Sequence, residues 1–146
     1  MIDDVETTLY VQYPSWAGAQ TSGSEITYDY NNRMYLSTVD QLNKNEYFEI
    51  DLLGGSMEFD VDLSESGCGC VTALYTVLMP AKDNNSDPFA YCDANQVGGH
   101  WCPEFDIMEA NKHAFHVTGH KCDAPQNGIY YNCDRGGQCT LDILKN

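Results

Sequence analysis

Basic residues are scarce in this chain. Seven Lys and Arg stand against 22 Asp and Glu, a formal net charge of −15 over 146 residues. Such an excess of negative charge repels phosphate backbones and anionic lipid surfaces, so no nucleic acid and no membrane is expected as a partner, whereas a neutral polymer such as a polysaccharide is compatible. Long apolar runs are also missing: none approaches a membrane span, and the start Met1-Ile2-Asp3-Asp4 lacks the basic residues and apolar stretch of a signal peptide. No CxxC pair points to zinc or thioredoxin chemistry. No convincing helix-period segment appears, and neither does an internal repeat.

What is present suits one β-rich domain. The length allows a single domain with a real core. Seven cysteines, Cys68, Cys70, Cys92, Cys102, Cys122, Cys133 and Cys139, are many for a cytosolic domain of this size, and an extracellular, secreted protein is the expectation. The sequon Asn84-Asn85-Ser86 in a polar loop agrees and makes Asn84 a glycosylation candidate. An odd cysteine count leaves at least one sulfur free or bonded outside this sequence.

Residues 1–24 mix aromatics with Gly, Ser and Pro and read as an irregular lead-in; residues 25–146 read as one domain. Within it, residues 25–30 and 33–36 flank a plausible Asn31-Asn32 turn. Residues 46–53 and 56–63 alternate around Gly54-Gly55 as a hairpin would, with Met57, Phe59, Val61 and Leu63 sharing a face. Residues 71–79 are nearly continuous in apolar and β-favouring types, as in a strand covered on both sides, and Pro80 stops them. After a turn-rich stretch, residues 104–110 and 114–118 give two more strands. Many short strands with turns between them predict an all-β sandwich or jelly roll.

The most informative segment is 104–111, where Glu104, Asp106 and Glu109 stand at E-x-D-x-x-E. On a strand Glu104 and Asp106 share one face and Phe105 and Ile107 the other, while strict alternation sends Glu109 to the wrong side. A β-bulge after Ile107 would return it and let three acids line one cleft. Retaining hydrolysis of a glycosidic bond uses two carboxyl groups roughly 5 Å apart, one to attack and one to donate a proton. A third acid between them orients the nucleophile and raises a neighbour's pKa. The spacing alone fits equally an edge strand with solvated acids on its outer face.

Taken with Gly98-Gly99-His100 and Cys102 before it, and Thr118, His120 and Cys122 after it, this segment resembles the catalytic strand of glycoside hydrolase family 7, the fungal-type cellobiohydrolases and endoglucanases. The acid spacing is shared with family 16; Ala110-Asn111, Tyr91-Cys92-Asp93 and Ala73-Leu74-Tyr75 favour family 7. The resemblance implies a concanavalin-like antiparallel jelly-roll sandwich. It also implies Glu104 as nucleophile, Asp106 as its assistant and Glu109 as acid/base, with His120 beside Glu109. Tyr75 and Arg33 would lie in the glucan groove, and Asp93 would partner Asp106. Disulfides Cys92–Cys102 and Cys122–Cys139 are implied too, with Cys70 and Cys133 matching nothing.

The family's domain is longer, and this chain stops soon after Cys139, about where the family fold is half complete. A shortened, open cleft acting internally on β-1,4-glucan is the expectation. A second chain or a homo-oligomer would complete the fold, and the alternative function is a non-catalytic carbohydrate-binding or structural component of a larger assembly. His100, His113, His116 and His120 lie near Cys102 and Cys122, but with those cysteines assigned to disulfides no metal and no cofactor are expected. Trp16 and Trp101 suit either a sugar-stacking platform or burial.

Overall fold

The computed structural model describes residues 5–14 and 18–142, with the backbone alone for 139–142. Trp16 lies outside the described residues. The chain divides into two compact units, Met1–Gly55 and Ser56–Asn146. Every strand pair is antiparallel, and among the described residues there is no α-helix. The chain is thus all-β, consistent with a β-sandwich.

In the first unit, β1 (Tyr10–Gln12) pairs with β4 (Tyr35–Ser37), and β2 (Ala19–Ser22) with β3 (Glu25–Tyr28). The second pair is a hairpin closed by Gly23 and Ser24, with Gly23 at φ 61, the positive value that two-residue hairpin loops demand. Buried Gln12 donates its side-chain amide to the carbonyls of Val39 and Asp40, tying β1 to the segment after β4. Among the described residues of the span read as an irregular lead-in, Tyr10–Gln12 and Ala19–Ser22 are strands, ordered by partners that come later in the chain. Residues 25–30 and 33–36 do not pair across Asn31-Asn32: β3 pairs with β2 and β4 with β1.

The second unit is built on one four-stranded sheet in the order β5 (Thr72–Val77), β6 (Glu104–Asn111), β7 (Ala114–His120), β8 (Gln138–Asp142). β6 and β7 form a tight hairpin at Lys112 and His113, where Asn111 Oδ1 accepts from the backbone N–H groups of His113 and Ala114. A small core of Ala81, Cys92 and Cys102, with Val77 and Met79 against it, lies where the long β5–β6 connection folds back on the sheet. The Cys92–Cys102 disulfide closes that connection.

Two expectations fail in this region. The alternating runs 46–53 and 56–63 contain no strand; Met57, Phe59 and Val61 are each more than a third exposed. Backbone pairing reaches only residues 46–48, where Tyr47 bridges Ser37 and the Phe48 N–H bonds Leu36 O; alternation prepares two faces, but a strand needs a longer run of such bonds. Residues 71–79 are not covered on both sides either: Val71 is 64% exposed and Leu78 55%.

Candidate active site

β6 carries the site because of one irregularity. Opposite β5, Met108 faces Leu74 and Asp106 faces Tyr75, so Ile107 has no partner. Opposite β7, Asp106 faces Thr118 and Glu109 faces His116, so the same extra residue appears. This bulge restores Glu109 to the face of Glu104 and Asp106. Register then places Tyr75, His116, Thr118 and His120 on that face from the two flanking strands, since directly opposed residues share a side.

Each acid is held by different neighbours. Glu104 is 9% exposed, and its Oε2 accepts from the backbone N–H of Ala94 at 3.0 Å. Burial, with the charges of Asp106 and Asp93 adding to it, pushes its carboxyl up to about 7 against the lowering effect of the Ala94 bond. Burial likewise raises Glu109, and Asp106 adds to it. Asp106 is raised by burial too, opposed by the His120 hydrogen bond and charge. Three acids sharing one poorly hydrated face cannot all ionise freely, which leaves a proton in the cluster near neutral pH.

His120 shows where one proton resides. Its Nδ1 lies 2.6 Å from the carbonyl oxygen of Asp134 and its Nε2 2.9 Å from Asp106 Oδ2. A carbonyl only accepts, so Nδ1 carries hydrogen. Nε2 then either donates to an ionised Asp106 or accepts from a protonated one, and the pair shares a single proton. Burial works against the charged ring, but the Asp134 and Asp106 bonds outweigh it and raise its pKa.

On the β5 side of the same face, the Tyr75 and Tyr91 hydroxyls are 3.1 Å apart, and Tyr91 donates to Asp93 Oδ2 at 2.7 Å. Asp93 Oδ1 also accepts from the Val97 N–H. Asp93 thus faces Tyr91 and a backbone amide and acts on Asp106 through charge alone in the bonds described. Beyond Glu109, a cavity of about 240 Å³ is lined by Cys70, Val71, Asn111 and His116 among others. Arg33 belongs to the first unit, half-buried between β3 and β4. Trp101 is half-buried with the Arg135 guanidinium 5.0 Å from its ring centre. Glu104, Asp106 and His120 offer donor atoms within 4.8 Å of one another, so a divalent cation would use the reactive groups of the site itself.

Two site expectations need correction. Cys122 is joined to Cys133, not to Cys139. Past β7 the chain remains antiparallel to the segment before β8: Asp134 N bonds Lys121 O and Asp123 N bonds Tyr131 O, which puts Cys133 opposite Cys122. Cys139 lies one residue past Gln138, the partner of Gly119, and so runs alongside β7 well before Cys122. Cys133, which matched nothing in the sequence, is thereby accounted for, while Cys68 and Cys70 are free thiols. Asn84, expected in a polar loop as a glycan acceptor, is buried at 3% exposure. Its Nδ2 donates to Tyr91 O, and its Oδ1 accepts from Asp87 N. A sugar on that nitrogen would have to break the loop open.

Sequence reasoning missed the Ala94 amide on Glu104 and the Asp134 carbonyl on His120, since a backbone group leaves no residue-type signal. Tyr91 was visible only as part of a matched tripeptide.

Comparison with known proteins now bears on this geometry. The chain is similar to fungal endoglucanases. It is 34% identical over 154 residues to "Endoglucanase type C" of Fusarium oxysporum, covering 84% of this chain and 35% of that protein. It is 31% identical over 159 residues to "Endoglucanase EG-1" of Humicola insolens, covering 91% of this chain and 35% of that one. A third relative, "Probable endo-beta-1,4-glucanase celB" of Aspergillus terreus, is 32% identical over 154 residues, with 84% and 35% covered. The chain thus spans about a third of the length of these curated relatives. No family model matches it, and no solved structure does.

Proposed function

We propose that this chain carries the catalytic strand of a retaining endo-β-1,4-glucanase of glycoside hydrolase family 7, acting on cellulose-type polysaccharide outside the cell. The observation that carries the reading is the bulge at Ile107, which sets Glu104, Asp106 and Glu109 on one face of β6. The names of the relatives support the reaction class and the substrate, and two disulfides suit an oxidising compartment.

The roles follow from the environments. Glu104 attacks the anomeric carbon as a carboxylate, its charge steadied by the Ala94 N–H, while Glu109, whose hold on a proton burial and Asp106 strengthen, gives its proton to the leaving oxygen. A covalent glycosyl-enzyme forms. Glu109, now ionised, takes a proton from water, which displaces Glu104 and returns the sugar with its configuration retained. Asp106 holds negative charge back from Glu104 by sharing a proton with His120. Tyr75 and the cavity beyond Glu109 offer a wall for the glucan chain.

The purified chain assayed on soluble β-glucan by release of reducing ends, with anomers resolved by NMR, tests the reading. A first-formed β-anomer is expected. A first-formed α-anomer would show inversion and remove Glu104 as nucleophile. No turnover by a folded chain would remove the catalytic reading altogether.

A further inference from the structure

The turn that follows the Cys122–Cys133 loop reaches back onto the site. Asp134 O accepts the N–H of Gly137 at 3.2 Å, and Asp134 Oδ1 accepts the N–H of Gly136 at 3.1 Å, so residues 134–137 form a self-bonded turn. The same Asp134 carbonyl takes Nδ1–H of His120. Gly137 has φ 73 and no room for a side chain: a Cβ there would strike Thr118 Cγ2 and come within 3.2 Å of His120 Cε1. The backbone of this turn is therefore packed directly on the His120 ring and on Thr118, the β7 residue opposite Asp106. Two backbone features, one carbonyl and one absent side chain, fix the ring from its outer side.

We infer that the turn Asp134–Gly137 is a positioning element for the proposed reaction, which sets the tautomer and orientation of His120 and through them the proton held on Asp106. The inference rests on the glucanase reading for its catalytic consequence, but not for its structural one. An imidazole free to rotate or to carry hydrogen on Nε2 alone presents Asp106 with a different partner. With Nδ1–H tied to a carbonyl, the nitrogen facing Asp106 is the one that titrates. The groups that act on this pair are Glu104 and Glu109 on β6, His116 on β7 and Asp93 from the β5–β6 connection, and none of them touches Nδ1 among the bonds described. Gly137 is a positioning residue, since the space its missing side chain leaves is filled by His120 and Thr118 and not by a reacting group.

The test uses the whole chain with Gly137→Ala. Long-range ¹H–¹⁵N NMR of the histidine rings is expected to show His120 with hydrogen on Nδ1 in the wild type, and a lowered pKa in the variant as the Asp134 bond loosens. His113, on the exposed β6–β7 turn, serves as the internal reference. On soluble β-glucan kcat is expected to fall by roughly a hundredfold with KM little changed, the scale of a misplaced catalytic group, and the pH profile to move with the His120 titration. The double variant Gly137→Ala/Thr118→Ser removes the methyl that the new Cβ strikes and is expected to recover part of both readouts. A His120 ring carrying hydrogen on Nε2 alone in the wild type, or a His120 titration unmoved by Gly137→Ala, would overturn the inference whatever the activity. An inactive wild type with the expected NMR behaviour would instead overturn the glucanase reading and leave the turn's hold on His120 standing. If Gly137→Ala does not fold, the wild-type tautomer and the double variant decide.

Discussion

Glu104→Gln should make the protein inactive and, above neutral pH, more stable. The carboxyl of Glu104 lies at about 7 against an ordinary 4.5, chiefly because it is buried. A raised acid binds its proton more tightly folded than unfolded, so its contribution to stability is complete below pH 4.5 and is lost as pH rises from there through about 7. At about 1.4 kcal/mol per pKa unit, ionising this group in place costs roughly 3 kcal/mol by pH 8. Glutamine keeps the size of the side chain and a neutral oxygen for the Ala94 N–H, as protonated Glu104 does, and the bond of the ionised form to that N–H is already contained in the raised pKa. The net gain at pH 8 is then about 3 kcal/mol, or on the order of 6–12 °C in Tm for a chain of this size. At pH 4 the gain vanishes. Thermal and urea unfolding of both proteins from pH 4 to pH 8, with turnover measured alongside, gives the answer. Parallel stability curves over the whole range would show that Glu104 ionises in the fold without cost and would refute the argument from burial. Retained turnover would refute its role as nucleophile.

The pH dependence of kcat/KM should show an acid limb near pH 7, falling about tenfold per pH unit below it, because the attacking Glu104 must be ionised; a limb near 4.5 would mean an unperturbed carboxyl. Glu109→Ala should abolish hydrolysis of cellulose-type substrates but spare the first step on an aryl glycoside whose leaving group needs no proton, seen as a burst of the phenol; loss of that burst would place the defect elsewhere. Asn84→Ala should cost about 1–3 kcal/mol by removing its buried bonds to Tyr91 O and Asp87 N, and intact mass from a secreting host should show no glycan at position 84; a glycosylated, folded protein would contradict the burial of Asn84. Non-reducing peptide mapping should find Cys92 with Cys102 and Cys122 with Cys133, each loop closure adding about 2–3 kcal/mol; a Cys122–Cys139 peptide would restore the earlier pairing.

Local pattern was enough for the acids themselves and the strands β5, β6 and β7, while the bulge at Ile107 was legible only as the condition for three acids on one face, which the pairing of β6 with β5 and β7 then met. Each is written in alternation or its interruption, and E-x-D-x-x-E cannot serve one face without an extra residue. Alternation at 46–53 and 56–63 was just as legible and gave no more than a bridge at Tyr47, because the extent of pairing depends on a neighbouring backbone that those residues do not encode. The converse holds for β1, β2 and β8, whose residues carry little period and gain order from β4, β3 and β7. Which cysteine meets Cys122 was set by the antiparallel register beyond β7, a long-range quantity. The proton on His120 was set by a carbonyl 14 residues away that any residue type could have supplied. The sequence by itself determined which groups can ionise, attack and donate. Only the tertiary structure decided how far each is buried, which backbone amide or carbonyl it meets, and hence where the protons rest, because hydration and hydrogen bonding depend on neighbours in space and not on order along the chain.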